Sequence, residues 1–177
     1  HLQMAGAQVT ATVRSRAKAD GLAQAGITAR VFSPEHADPE IAGDIAASDA
    51  ILVSVPPGEA GDPVLASFAA GIAAAPNLRW VGYLSTVGVY GDHAGGWVDE
   101  TTPTTPGKAR SGFRIAAEQG WLALGAHVFR LSGIYGPGRN QLVQLASGSA
   151  RRIVKPGQIF NRIHVADIAA AIEASLA

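Results

Sequence analysis

The chain contains no cysteine, which excludes disulfides, thiolate catalysis and a zinc–cysteine centre and leaves the compartment open on that count. It lacks an excess of either charge: fourteen Lys and Arg stand against fourteen Asp and Glu, and neither sign gathers in a long run. Nothing electrostatic therefore draws it to nucleic acid or to an anionic membrane surface. No apolar run approaches the roughly 20 residues of a membrane span. These residues show no signal-peptide pattern, internal repeat or low-complexity linker, and they open on His1 as an incomplete start would. What remains is 177 residues, 47% hydrophobic and 16% charged, enough to bury a core. One soluble, cytoplasmic domain covering residues 1–177 is expected.

Short β-branched runs alternate with alanine-rich stretches. Gln8 to Val13 (QVTATV) reads as a strand, and Ala17 to Ala25 as a helix closed by Gly26. A short run from Thr28 to Phe32 follows, then a small helix after Asp38-Pro39 and the apolar strand Ala50 to Val55 (AILVSV). Asp62-Pro63 opens the next helix, with aspartate as N-cap and proline at the first position. Its stripe of Leu65, Phe68, Ala69 and Ile72 should face a sheet. Trp80 to Ser85 (WVGYLS) and His127 to Leu131 (HVFRL) are further strands. Between them a helix from near Ser111 carries Phe113, Ala116, Ala117, Trp121 and Leu124 on one face, and a last helix runs from about Asp167. Strands apolar on both faces and separated by helices predict an α/β, doubly wound parallel sheet, which binds ligands at the carboxyl ends of its strands.

The segment Tyr83 to Asp92 (YLSTVGVYGD) resembles the strand-to-loop segment S-[ST]-x-x-V-Y-G of extended short-chain dehydrogenases, the NAD-dependent epimerase/dehydratase family. Pro103 to Glu118 is similar to the family's proline-led approach to its active-site helix. Phe129 to Gly138 (FRLSGIYGPG) resembles the strand and turn after that helix, and Arg162 to Ile168 (RIHVADI) its I-H-V-x-D junction. The resemblance implies a Rossmann domain for NAD or NADP with substrate chemistry beside the nicotinamide, residues 133–177 contributing the substrate side.

The chain departs from the pattern twice. The family opens with a strand, a glycine-rich turn and a helix that hold the pyrophosphate. Here His1 to Ala5 reads as the last turn of that helix, so Gln8 to Val13 corresponds to the family's second strand, and the chain is expected to be a fragment. The family also uses a tyrosine four residues before a lysine as general acid/base. Aligned on Glu118, Arg110 takes the tyrosine's place and Arg114 the lysine's, and no Tyr-x-x-x-Lys occurs anywhere. Arginine stays protonated and cannot take a proton. The pattern is similar to the atypical short-chain dehydrogenases, which often lack the tyrosine.

By this resemblance Arg14 and Ser15 lie at the adenosine ribose, where a basic side chain suits the 2′-phosphate of NADP, with NAD as second choice; the bland reading is a solvated turn. Ser54, Val55 and Pro56 end a strand at the switch point and pass beneath the cofactor, or simply stop the strand. Thr86, with Ser85 before it, matches the substrate-facing hydroxyl, or bonds local backbone. Tyr90 is the best remaining proton donor and His93 the next, though such tyrosines commonly pack structurally. Arg114 faces the cofactor, or Arg110, Arg114 and Glu118 form an exposed ion-pair ladder. His164 and Asp167 are read as a satisfied strand-end histidine and the N-cap of the last helix, with no metal expected. The expected partner is a small-molecule substrate, with a homodimer through the Phe113–Trp121 helix. The chemistry is that of an epimerase/dehydratase or oxidoreductase; the rival is a non-catalytic NADP-binding sensor or scaffold.

Overall fold

The computed structural model describes residues 2–4, 6–152, 154, 156–157 and 159–177. The expected last helical turn, His1 to Ala5, has both ends outside the described residues. Beside it, Ala7 N–H donates to the Leu2 carbonyl and Gly6 N–H to that of Gln3, with Gly6 at φ +88°. Those two bonds and a left-handed glycine are the pattern of a helix C-terminal cap.

Strand β1 (Thr10–Val13) leads through α1 (Arg16–Gln24) to β2 (Thr28–Ser33), which pairs parallel with β1. Gly26 at φ +74° closes α1. Against β2 lies the two-residue antiparallel strand β3 (His36–Ala37). After α2 (Ile41–Ala47), strand β4 (Ala50–Val53) starts a second parallel sheet in the order β4-β5-β6, with α3 (Pro63–Ala74), β5 (Trp80–Thr86), α4 (Ala109–Ala123) and β6 (His127–Leu131). Strands β7 (Gly133–Tyr135) and β8 (Arg162–His164) make a parallel pair, with α5 (Gln141–Ala146) between them in sequence and α6 (Val165–Leu176) after them. This is the Rossmann-like α/β architecture. Among the described residues β1 and β4 are not paired with each other, and no helix is long and apolar enough to cross a membrane.

Strand β5 organises the packing because alternate side chains point to opposite faces. Val81 and Tyr83 enter one core with Val53, Ile72, Ala117 and Trp121, so α3 and α4 cover that face. Trp80 and Leu84 enter the other, with Phe129, Ile168 and Ile172, beneath α6. The Trp80 ring lies over Gly82, where a Cβ would come within 2.1 Å of it, and its indole N–H donates to Ser175 Oγ at 3.0 Å.

The Asp62-Pro63 reading holds in detail: Asp62 Oδ1 accepts from Val64 N at 2.9 Å and Leu65 N at 3.1 Å. Its Oδ2 accepts from the Trp121 indole at 3.0 Å, pinning α4 to the start of α3. The cap of α6 differs from expectation. It is His164, whose Nδ1 accepts from Ala166 N at 3.2 Å, while Asp167 sits in the first turn. The imidazole competes successfully because β8 runs straight into the helix at that residue.

Candidate active site

The carboxyl ends of β1 and β4 enclose a cavity of about 530 Å³. Its lining takes Thr12, Val13 and Arg14 from the end of β1, Phe32 to Glu35 from β2 and its turn, Ser54, Val55 and Pro56 from the loop after β4, and Pro63 from the start of α3. The structure thus brings Arg14 together with the distant run Ser54, Val55 and Pro56. Among the described residues Arg14 has no acidic partner, leaving its guanidinium available for a ligand oxyanion. Ser15 is not on the lining; it stands at the N-cap of α1, where its carbonyl accepts from Lys18 N and Ala19 N. Phe32 and the Ser33–Glu35 turn carry no signal in the sequence that marks them for a site. Glu35 places one carboxylate on the same lining, held by Ser33 Oγ at 2.9 Å.

The second group of candidates lies at the end of β5. Ser85 and Thr86 are consecutive strand residues, so their side chains leave on opposite faces. Ser85 is buried and donates its hydroxyl to Glu118 Oε1. Thr86 Oγ1 accepts from Gly88 N at 3.2 Å, capping the 3₁₀ turn Val87–Tyr90. Tyr90 is buried, and its hydroxyl accepts from Arg130 Nη1 at 3.0 Å beneath a guanidinium 4.9 Å from the ring centre. Its own proton meets no acceptor among the described residues. His93 Nε2 lies 3.0 Å from the Tyr90 carbonyl, which can only accept, so that nitrogen is a donor committed to the backbone. Gly91 is required by its conformation, φ +77°, and by a close approach: a Cβ there would stand 2.3 Å from the Thr105 carbonyl.

Behind this edge sits the salt bridge Arg130–Glu118, at 2.9 Å, with the Glu118 side chain 3% exposed. Its hydrogen bond to Glu118 raises the Arg130 pKa above the ordinary arginine value. The exposed ladder read on α4 is therefore corrected. Glu118 is buried and pairs with Arg130 rather than Arg114, while Arg110 is exposed. Arg114 turns inward: its Nη1 donates to the Tyr83 hydroxyl and to the Leu84 carbonyl, each at 3.0 Å. Burial pushes the Tyr83 phenol up to about 12, with Arg114 opposing the shift. No local spacing signals Arg130, which stands on a different element from Glu118.

A second cavity, about 450 Å³, is lined by Gly133, Ile134 and Tyr135 of β7, Arg139, Asn140, Gln141 and Gln144 around the start of α5, and Arg162 of β8. It lies within the stretch read as the substrate side.

No family model matches the chain, and no curated protein matches it. Solved structures do. A functionally unknown conserved protein from Silicibacter pomeroyi shares 45% identity over 99% of this chain at a TM-score of 0.87, and this chain spans 61% of its length. A Methylobacillus flagellatus protein assigned to the NAD-dependent epimerases/dehydratases matches at 21% identity and a TM-score of 0.63, over 95% of this chain and 68% of its own. The UDP-glucuronic acid 4-epimerase of Bacillus cereus, solved with UDP-glucuronic acid and NAD, matches at 16% identity and 0.73, over 99% and 67%. At those lower identities the likeness shows the fold.

Proposed function

We propose that this chain is the nucleotide-holding part of a nicotinamide-dependent protein of the atypical short-chain dehydrogenase kind, acting as an epimerase/dehydratase or oxidoreductase on a small molecule. The observation that carries the proposal is the cavity at the ends of β1 and β4, where Arg14, Ser54, Val55 and Pro56 meet. Its position at the carboxyl ends of parallel strands is where doubly wound folds take nucleotides. The residues present fit such a group. Arg14, without an acidic partner among the described residues, suits the 2′-phosphate of NADP, and the apolar Val55, Pro56 and Phe32 suit the adenine faces. Bound, the nicotinamide would supply hydride exchange at the substrate carbon. NAD, which occupies the Bacillus epimerase, is the weaker choice for this chain because of Arg14.

On the substrate side, Thr86 would orient a substrate oxygen with its hydroxyl proton, and Tyr90, held by Arg130, would offer its own. Ser85 supports them through Glu118. Ser15, at the start of α1, and Arg114, beneath the end of β5, would add contacts to the cofactor. Residues 133–177, with the second cavity, form the substrate side. The test is a fluorescence titration with NADPH and NADH: saturable binding with NADPH the tighter supports the proposal, and binding of neither refutes it.

A second reading, a sensor or scaffold that binds NADPH without turnover, draws support from Ser85 and Tyr90, whose hydroxyls both engage the Glu118–Arg130 pair. NADPH that binds yet is never oxidised across a panel of carbonyl compounds would favour it.

A further inference from the structure

Helix α4 presents a second hydroxyl beside Thr86 that the tyrosine alignment hides. Alignment puts Arg110 where the family has its acid/base residue, but Arg110 is exposed. The residues of α4 that reach the end of β5 are Arg114, bonded to Leu84 O, and Glu118, bonded to Ser85. Extending that stripe back by one turn gives Ser111, three residues before Arg114. A Cβ built on Gly88 would stand 3.5 Å from Thr86 Oγ1 and 3.6 Å from Ser111 Oγ, so both hydroxyls border the same point in space. Gly88 is exposed, which opens that point to solvent, while Thr86 and Ser111 are half-buried.

Each hydroxyl has its proton to give. Thr86 Oγ1 already accepts from Gly88 N, so its O–H is the free direction. Ser111 Oγ has no hydrogen-bond partner among the described residues, although its backbone N–H is used within the helix start. From this geometry we infer that Ser111 is a second substrate-positioning residue, donating with Thr86 to one carbonyl or hydroxyl oxygen of the substrate held over Gly88. The pair performs the orienting half of the missing tyrosine's role, since two neutral donors fix and polarise the oxygen without taking its proton. Gly88 is part of the site because any side chain there would occupy the oxygen's place. The inference rests on the proposed function, in which substrate lies at the strand ends.

The test uses acetone, a bare carbonyl probe, titrated into the isotopically labelled chain with the Gly88 amide and Thr86 methyl followed by NMR. Saturable shifts at both are expected. Ser111→Ala should weaken the binding roughly three- to tenfold, the loss of one neutral hydrogen bond. Ser111→Thr should restore it. Gly88→Ala should abolish it while the fold persists, because the added methyl meets ordinary contact distances and Gly88 is not in the left-handed region. Shifts unchanged in Ser111→Ala, or none at Gly88 in the parent chain, overturn the inference. Weakened NADPH binding in Ser111→Ala also overturns it, by making Ser111 a cofactor contact. Failure of the nucleotide reading registers separately, as NADPH leaving Arg14 and Ser54 unshifted while acetone still shifts Gly88.

Discussion

Replacing Glu118 with glutamine removes one charge from the point where β5, α4, β6 and the Tyr90 turn converge. Glu118 accepts from Ser85 Oγ and from Arg130 Nε and Nη2. Its side chain is 3% exposed and that of Arg130 20%. Taking one partner from a buried ion pair costs roughly 3–5 kcal/mol, because the surviving charge stays desolvated without compensation. The remaining exposure of Arg130 places Glu118→Gln at the low end, about 3 kcal/mol. In a chain of this size that lowers the melting temperature by roughly 6–12 °C. Urea unfolding should show a lower midpoint at unchanged slope, since the loss is one of stability rather than of exposed surface. Glu118→Leu combined with Arg130→Met should lose less than Glu118→Gln alone, because apolar replacement of the whole pair strands no charge. If Glu118→Gln stays within about 1 kcal/mol of the parent, the pair belongs among solvated ones and the buried-charge explanation fails.

Asp62→Ala should cost about 2–3 kcal/mol by urea unfolding, combining a lost N-cap with a buried indole donor left unpaired; a loss under half of that would mean water serves the Trp121 N–H. Gly82→Ala should cost roughly 1–3 kcal/mol and shift tryptophan emission, because its Cβ would collide with the Trp80 ring; an unchanged spectrum and midpoint would count against that collision. Burial raises the Tyr83 pKa in the fold from 10.0 to about 12, so the neutral phenol's contribution is full below pH 10 and falls away as pH rises toward 12. The urea midpoint should decline across that window, and Tyr83→Phe should flatten the decline; an equally steep decline in Tyr83→Phe would assign it to other groups.

Local chemistry was legible where one short segment decides it. Asp62-Pro63 caps α3 as read, because both N–H groups it serves lie within three residues. Gly26 ends α1 for the same reason, since a left-handed position favours glycine wherever it occurs. That Arg14 and Ser54 to Pro56 border one cavity was also legible, because both follow parallel strands whose carboxyl ends face the same side in a doubly wound fold. What escaped was set by side-chain partners distant in sequence. Glu118 looked like a rung of a surface ladder because its spacing to Arg114 is helical, yet its partner Arg130 comes from β6. Ser111 is hidden because alignment to the family directs attention to Arg110. Strands β3 and β7 were missed because two- and three-residue strands carry too little pattern; β7 is exposed throughout, and β8 was read only through its end at His164. His164 took the cap assigned to Asp167 because aspartate propensity does not register where β8 ends.

The proposed preference for NADP rests on Arg14, which on that reading contacts the 2′-phosphate. The measurement that reads this contact is the ratio of NADH to NADPH dissociation constants, in the parent chain and in Arg14→Ala, at one fixed salt concentration. A charge-assisted bond to phosphate contributes about 1.5–3 kcal/mol, so the ratio should be roughly ten to a hundred in the parent and fall close to one in the variant. A ratio that Arg14→Ala leaves unchanged would sink the assignment and remove the ground for preferring NADP.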